Sequence, residues 1–194
     1  MKVSGKKVAE NRAALVDKAM RLLQERGFDG AGVADICREA GLTQGALYGQ
    51  FGSKNVLAAE AVRKAFADGA ATWRELNDNA PNPLAAYLDA YLSENHLADV
   101  GSGCVLAACL SEVRRQDHAI GAAFTDGFST MVELMQRALP SAAAPDDARR
   151  RALAVLSGLV GSVAIARAVA PTDPALAQEI IAATRSELER LALR

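Results

Sequence analysis

Apolar residues recur every three or four positions along nearly the whole chain, which is the spacing of one face of an α-helix. Leu15, Ala19 and Leu22 show this spacing near the start, and Leu176 and Ile180 show it near the end. Alanine, the residue with the highest helix propensity, fills 41 of the 194 positions. Aromatic residues make up only 5% of the chain, whereas sheets favour aromatic and β-branched side chains. The sequence therefore predicts an all-α protein.

Glycines, prolines and capping residues divide this pattern into helices. Three short helices are expected within residues 1–54, and longer helices fill residues 55–194. We therefore expect an N-terminal three-helix domain at 1–54 and a C-terminal helical domain at 55–194. The predicted helices span about residues 7–26, 33–40, 44–51, 54–77, 83–98, 104–115, 119–139, 147–169 and 174–191.

The few cysteines and histidines argue against metal-binding and disulfide-stabilised classes of protein. Cys37, Cys104 and Cys109 form no metal-ligand spacing with His96 or His118, and an odd cysteine count is typical of a reducing compartment. The sequence also has no glycine-rich phosphate-binding loop and no recognisable arrangement of catalytic residues. We expect no metal, no cofactor and no enzymatic activity.

Charge is unevenly distributed along the chain. Residues 1–54 carry a formal charge of +3 and residues 55–194 a charge of −4, which favours contact between the N-terminal domain and phosphate. The charged start MKVSGKKVAENR has no secretory-signal pattern, and the apolar run at 152–166 is shorter than the roughly 20 residues that cross a bilayer. We therefore expect a cytoplasmic protein with no membrane-spanning segment.

Residues 33–51 are predicted to form a helix, a turn that contains a glycine, and a second helix. This arrangement places a second helix in the major groove of DNA, and by period alone it fits an ordinary pair of packed helices equally well. Leu47 and Phe51 are expected to face inward. Polar residues are expected on the opposite face: Thr43, Gln44, Tyr48 and Gln50. Hydroxyl and amide groups can read base edges, while Tyr48 and Lys54 suit phosphate oxygens.

The helix-turn-helix region resembles a known family of DNA-binding proteins. Its sequence GFDGAGVADICREAGLTQGALYGQFGSKNVL, preceded by Arg12, Leu15, Val16 and Ala19, is similar to the N-terminal domain of TetR (tetracycline-repressor-like) transcription regulators. The likeness covers residues 7 to about 60. It implies an all-helical homodimer with a recognition helix at 44–50. It also implies a variable C-terminal domain that binds a small molecule and dimerises through its last two helices.

The resemblance assigns DNA contacts to individual residues. Thr43, Gln44, Ala46 and Tyr48 fall on the DNA-facing positions of the family's motif, and Lys54 falls on its phosphate-contacting lysine. Basic residues near the N-terminus are expected either to form an arm along the duplex or to belong to a solvated terminus. They are Lys2, Lys6, Lys7 and Arg12.

Three residues depart from the family's pattern. Gly32 replaces the usual threonine or serine at the N-cap of the second helix, which removes one expected phosphate contact. Gly49 lies inside the recognition helix at a cost of about 1 kcal/mol relative to alanine. Gln50 replaces a common histidine. The fold is expected to tolerate all three.

Aromatic and sulfur-containing side chains of the C-terminal domain are candidates for a ligand pocket. They are Tyr87, Tyr91, Cys104, Phe124, Phe128 and Met131. Helically spaced aromatic residues also fill ordinary cores, so each has an alternative interpretation as packing. Cys104 opens a predicted helix, where the helix dipole favours a thiolate, or it is a small buried filler. His96 is expected to form hydrogen bonds or lie at the surface.

A strip of small residues in the predicted helix 147–169 is expected to form a dimer interface. Ala154, Gly158 and Ser162 recur every four residues, so a second backbone can approach closely. Leu176 and Ile180 on the last helix complete a four-helix interface in this interpretation. Packing within one subunit is the alternative.

The sequence thus predicts a dimeric transcription regulator that binds double-stranded operator DNA and acts as a repressor. A small-molecule effector would favour a geometry whose recognition helices no longer match two half-sites. Two other classes stay open at this point. One is an enzyme built on a helical bundle, and the other is a ligand-binding protein without DNA activity.

Overall fold

The computed structural model describes residues 5–140 and 145–192. Across those two ranges the chain forms ten helices and no strand, so the all-α prediction is confirmed. The helices are α1 (Gly5–Gly30), α2 (Val33–Glu39), α3 (Gln44–Phe51), α4 (Lys54–Asn79), α5 (Pro83–Tyr91), α6 (Glu94–Ala98), α7 (Val105–Val113), α8 (His118–Ala138), α9 (Pro145–Val169) and α10 (Pro174–Ala192).

Two helices replace the single helix that was predicted at 83–98. The helix α5 ends at Tyr91, and α6 begins at Glu94. The hydroxyl of Ser93 accepts a hydrogen bond from the backbone N–H of His96 at 3.2 Å, which makes Ser93 the N-cap of a new helix. Serine favours this position because its side chain satisfies a free N–H of the first turn. After the break, α6 packs against α9.

The end of α1 is kinked at Gly27, where the sequence predicts a helix stop. Gly27 has φ of 73°, a conformation that L side chains rarely adopt. A Cβ atom at this position would also collide with the carboxylate of Glu112 on α7. The kink therefore requires glycine for both its backbone angle and its close contact with the C-terminal domain.

The centre of the fold is the packing of α4 against α1 and α8, with α9 and α10 paired alongside α8. Leu15, Leu57 and Met135 are fully buried in this core. Phe66 on α4 lies against the backbone of Gly127 on α8, where a Cβ atom would overlap its ring. This close approach holds the long helix that follows the helix-turn-helix firmly against the C-terminal bundle.

The apolar helix α9 packs one face against the bundle. By length and composition alone, its segment Asp146–Val169 is long and apolar enough to cross a membrane. This segment is longer than the apolar run that the sequence indicates at 152–166. A core helix meets the same criterion, and Ala152, Val155 and Leu159 are fully buried against the rest of the chain. The structure therefore uses α9 as a core helix.

Candidate nucleic-acid interface and ligand cavity

The recognition helix α3 begins after a tight turn and is capped by its neighbours in sequence. Gly41 has φ of 65° in the turn after α2. The hydroxyl of Thr43 accepts a hydrogen bond from the backbone N–H of Ala46 at 3.2 Å, so Thr43 is the N-cap of α3. Leu47 and Phe51 are buried as predicted. These local contacts fix α3 with its other face turned to solvent.

Most of the predicted DNA-contacting residues lie on this exposed face. Thr43 and Gln44 are exposed at the start of α3, and Ala46 is half-buried beside them. Tyr48 is 50% exposed, which is a large fraction for an aromatic side chain. These four side chains form a surface that a DNA groove can reach.

Gln50 does not share the exposed face, contrary to the prediction. It follows Leu47 by three residues, which places it only about 60° around the helix from that buried side chain. Gln50 is half-buried, and its Oε1 atom is buried without a hydrogen-bond partner among the described residues. Its carbonyl oxygen accepts a hydrogen bond from Arg12 Nη1 at 3.0 Å. Gln50 therefore belongs to the support of the recognition helix.

Arg12 acts as an internal connection and is not part of an N-terminal arm. Its guanidinium pairs with Glu60 on α4 and lies 4.2 Å from the centre of the Phe51 ring. Together with the bond to Gln50, these contacts join α1, α3 and α4. Lys6 and Lys7 lie exposed in the first turn of α1, so their contact with DNA stays a prediction. Lys2 lies outside the described residues.

Lys54 has a structural partner. Its Nζ atom donates a hydrogen bond to the carbonyl oxygen of Phe28 at 2.5 Å. Phe28 lies at the junction of α1 and α2, so the first residue of α4 is tied to the helix that precedes the helix-turn-helix. The side chain is half-buried, and this position next to α3 leaves its charge near the exposed face.

A cavity of about 600 Å³ lies between α1 and the helices α4, α5, α6, α7, α8 and α9 of the C-terminal domain. This volume is typical of pockets for small organic ligands. Trp73 forms its aromatic wall with Tyr87, whose ring centre lies 4.1 Å away, and with Tyr91, which is edge-on at 6.5 Å. Tyr87, Tyr91, Cys104 and Met131 all line the cavity, as the predicted pocket requires.

Phe124 and Phe128 do not line this cavity. Both face a separate groove between α7, α8 and α9. The ring of Phe66, which itself lines the cavity, packs edge-on against Phe124 at 5.5 Å and covers it. These two phenylalanines therefore do not belong to this cavity, and their contact with a ligand stays a prediction.

The polar end of the cavity is organised around His96. Its Nδ1–H donates to the carbonyl oxygen of Tyr91 at 2.5 Å, and its Nε2 accepts the backbone N–H of Cys104 at 3.1 Å. Burial lowers the pKa of His96, and the nearby charge of Arg167 lowers it further. His96 is therefore a neutral hydrogen-bonding residue at neutral pH, which confirms its predicted role.

The three cysteines are unpaired, and they differ in environment. Burial raises the pKa of the Cys37 thiol, and it raises the pKa of Cys109 to about 12, with Glu112 and Cys104 contributing. Cys104 is half-buried, precedes α7 as its N-cap and lines the cavity. Within residues 5–140 and 145–192, His, Cys, Asp and Glu side chains form no group that could hold a metal ion.

Hydrogen bonds connect the cavity to the helix-turn-helix, a feature that the sequence pattern did not predict. The side-chain amide of Gln24 on α1 donates to the carbonyl oxygens of Val100 and Gly103 at 2.9 and 3.1 Å. On α7, the carboxylate of Glu112 accepts the backbone N–H of Phe28 at 2.9 Å. Phe28 is thus held at its N–H by the C-terminal domain and at its carbonyl by Lys54.

The small-residue strip of α9 is used mainly within the subunit. A Cβ atom at Gly158 would lie 3.1 Å from the Leu188 side chain of α10, so Gly158 allows α9 and α10 of one chain to pack closely. Ser162 is 5% exposed, and its hydroxyl donates to the carbonyl oxygen of Leu159. Gly158 and Ser162 therefore take part in packing within the subunit, and a role for this strip in a dimer interface stays a prediction.

Other residues of α9 and α10 leave apolar surface uncovered. Ala154 is exposed, Leu176 is 40% exposed and Ile180 is half-buried. Ile165, which the sequence did not single out, is 53% exposed on α9. Large exposed apolar side chains are candidates for association.

The chain is similar to bacterial transcription regulators in sequence and in structure. Residues 15–61 match the family described as bacterial regulatory proteins, tetR family. Over 165 residues the chain is 30% identical to an uncharacterised HTH-type transcriptional regulator of Mycobacterium tuberculosis, covering 80% of this chain and 84% of the relative. Over 95 residues it is 28% identical to the HTH-type transcriptional repressor DhaR of Mycobacterium sp. strain GP1, covering 49% and 48%.

A solved structure shares the fold over nearly its whole length. It is a TetR-family transcriptional regulator from Agrobacterium tumefaciens, with a TM-score of 0.78 and 22% sequence identity. The superposition covers 95% of this chain and 99% of that chain. This chain therefore shares its overall fold with that structure.

Proposed function

Because this chain belongs to the TetR family of bacterial transcription regulators, we propose that it binds operator DNA as a homodimer and represses transcription until a small molecule fills its cavity. The observation that carries the proposal is the exposed face of α3, where Thr43, Gln44 and Tyr48 project from a firmly packed three-helix unit. Members of this family are regulators and not enzymes, so the helical-bundle enzyme alternative falls. We assign DNA binding to residues 1–54, ligand binding and dimerisation to 55–194, and the cytoplasm as the location.

Each exposed residue of α3 has a role that fits its chemistry. The amide of Gln44 can donate to and accept from a base edge, and the methyl group of Ala46 suits contact with thymine. Tyr48 presents a hydroxyl to a phosphate oxygen. Thr43 uses an oxygen lone pair for its cap bond to Ala46 and keeps its hydroxyl proton for DNA. Gln50 is left out of base contact because it is packed against the rest of the domain.

The hydrogen bonds between the cavity and Phe28 support ligand control of DNA binding. Gln24 and Gly103 both line the cavity and are joined by a hydrogen bond. Glu112 on α7 accepts a hydrogen bond from the backbone N–H of Phe28. A ligand that moves the start of α7 would therefore also move the junction that supports α3. Its effect on DNA affinity is set by its differential binding to the two geometries.

Selection from a random duplex pool tests the proposed function. We expect enrichment of pseudo-palindromic sites, because each subunit supplies one short recognition helix. The centres of the two half-sites should lie about one helical turn of DNA apart, or a multiple of it. Gln44→Ala should lower the ratio of specific to non-specific affinity by about tenfold, as loss of a base contact does. Gln178→Ala, an exposed glutamine on α10, is the matched control. Protection of a single isolated half-site, or no preference over random DNA, would contradict the proposal.

Lys54→Ala tests whether this lysine also contacts phosphate. If Lys54 neutralises one phosphate, the slope of log K against log salt should fall by about one unit, with similar weakening at every site. The variant should also be less stable in urea, because the Phe28 carbonyl loses its donor. A loss of stability with an unchanged salt slope would show that Lys54 has a structural role alone.

A further inference from the structure

Two hydrogen-bond donors at or directly behind the polar end of the cavity have no oxygen or nitrogen acceptor in the described part of the chain. One is the hydroxyl of Tyr91, a residue that lines the cavity and is only 8% exposed. The other is the Nη1 atom of Arg167 on α9, which is buried. Buried polar groups without partners are rare and costly in proteins. A pair of them beside a ligand-sized cavity therefore calls for an explanation.

Arg167 does not itself line the cavity, but its positive charge lies behind the polar end, next to the lining residues His96 and Gly103. Its Nε and Nη2 atoms donate to the backbone carbonyls of Leu97 and His96 at 3.2 and 2.5 Å. Gly103, which lines the cavity, leaves room for this guanidinium, because a Cβ atom there would lie 2.6 Å from Nη2. Burial lowers the pKa of Arg167, but arginine stays protonated in proteins.

No carboxylate in the described ranges forms an ion pair with this guanidinium. The nearest acidic influence is Asp99, whose carboxylate already accepts the backbone N–H of Ser102 at 3.1 Å. The neighbouring His96 is neutral and has both ring nitrogens engaged. Arg167 therefore places a positive charge behind the polar end of the cavity, and no carboxylate of the described residues forms an ion pair with it.

Tyr91 is a donor and not an acceptor for a bound ligand. Burial raises its pKa well above the ordinary value, Cys104 raises it further, and the charge of Arg167 only partly opposes this. The hydroxyl therefore keeps its proton at neutral pH. The Cys104 thiol beside it is a weak acceptor and does not replace an oxygen ligand.

We propose that the ligand of this cavity is an organic acid, whose carboxylate binds the Tyr91 hydroxyl and the Arg167 guanidinium while a hydrophobic body lies against Trp73 and Tyr87. Hydrogen bonds between charged groups in a buried site are stronger than neutral ones, so the carboxylate gives the ligand its class selectivity. This inference rests on the proposed function in one respect, because it takes the ligand to be the small molecule that controls DNA binding. Binding itself is independent of DNA.

Matched ten-carbon probes test the assignment. Decanoate, decanamide and decylamine have the same alkyl chain and differ in the charge of the head group. Trp73 is the only tryptophan of the chain and forms the cavity wall, so its fluorescence reports occupancy directly. We expect decanoate to bind at least about tenfold more tightly than decanamide, with decylamine the weakest.

Two variants connect this preference to the named donors. Tyr91→Phe keeps the ring and removes the hydroxyl, and Arg167→Gln removes the charge. Each should reduce the ratio of decanoate to decanamide affinity by about tenfold while changing decanamide affinity less than twofold. Arg185→Gln is the control, because Arg185 also donates to a backbone carbonyl, that of Leu88 at 3.1 Å, but belongs to α10, which contributes no residue to the cavity lining. Its ratio should match that of the parent protein.

Several results would overturn the assignment. They are equal affinity for decanoate and decanamide, tightest binding of decylamine, no change in Trp73 fluorescence with any probe, or an unchanged ratio in Tyr91→Phe. If Arg167→Gln fails to fold because its carbonyl contacts are lost, Tyr91→Phe still decides, since it removes an unpartnered group. Failure of operator binding in band-shift assays would contradict the proposed function and leave the fluorescence result intact.

Discussion

Ile165→Glu should separate the dimer into monomers and weaken operator binding by roughly 100-fold or more. Ile165 is 53% exposed on α9, on the same side of the helix as the exposed Ala154. In an interface with two-fold symmetry a substituted residue occurs twice, so two carboxylates would have to be buried together. A monomer has one recognition helix and loses half of its operator contacts. Analytical ultracentrifugation and band-shift titration measure the two effects.

Val56→Glu is the matched control for this experiment. Val56 is 48% exposed, close to the value for Ile165, but it lies in the first turn of α4 and far along the chain from α9. It should leave the oligomeric state unchanged. A protein with Ile165→Glu that stays dimeric with unchanged helical content would place the interface elsewhere, with the groove lined by Leu110 and Phe128 as the next surface to test.

The helix-turn-helix was predictable from sequence because its determinants are local. The Thr43 cap acts on Ala46 three residues away, and the inward positions of Leu47 and Phe51 follow from helical period. Gln50 was misplaced although helical period alone puts it about 60° from the buried Leu47. The bond from Arg12 to its carbonyl oxygen, across 38 residues of sequence, could not be predicted from local pattern. Local patterns therefore identified the recognition helix but not the contacts that support it.

The cavity and the small-residue strip of α9 depend on contacts between distant parts of the chain, which local patterns do not predict. Small residues on α9 indicate that some helix approaches closely, but not that the partner of Gly158 is Leu188 of the same chain. The donors Tyr91 and Arg167 come from α5 and α9, and no spacing in the sequence connects them. Tertiary packing, and not propensity, decides which helices meet and which polar groups are left without partners.

Gly27→Ala should lower the free energy of unfolding by about 2–4 kcal/mol and weaken operator binding. An L side chain at φ of 73° is strained, and its Cβ atom would displace the carboxylate of Glu112. The backbone N–H of Phe28 would then lose its acceptor at the junction that Lys54 also holds. Urea denaturation measures the stability change. Gly121→Ala is the control, because an added Cβ there meets nothing within 4 Å.

A double-mutant cycle separates backbone strain from the loss of this contact. Glu112→Ala removes both the group that the new Cβ would strike and the acceptor for Phe28. In that background Gly27→Ala should cost only the strain of the backbone, about 1 kcal/mol. If the cost of Gly27→Ala were the same with and without Glu112, the carboxylate would not be the connection between the domains. A lower cost of Gly27→Ala in the Glu112→Ala background would show that the two positions are coupled. The Phe28 junction would then be the point where the C-terminal domain supports the recognition helix.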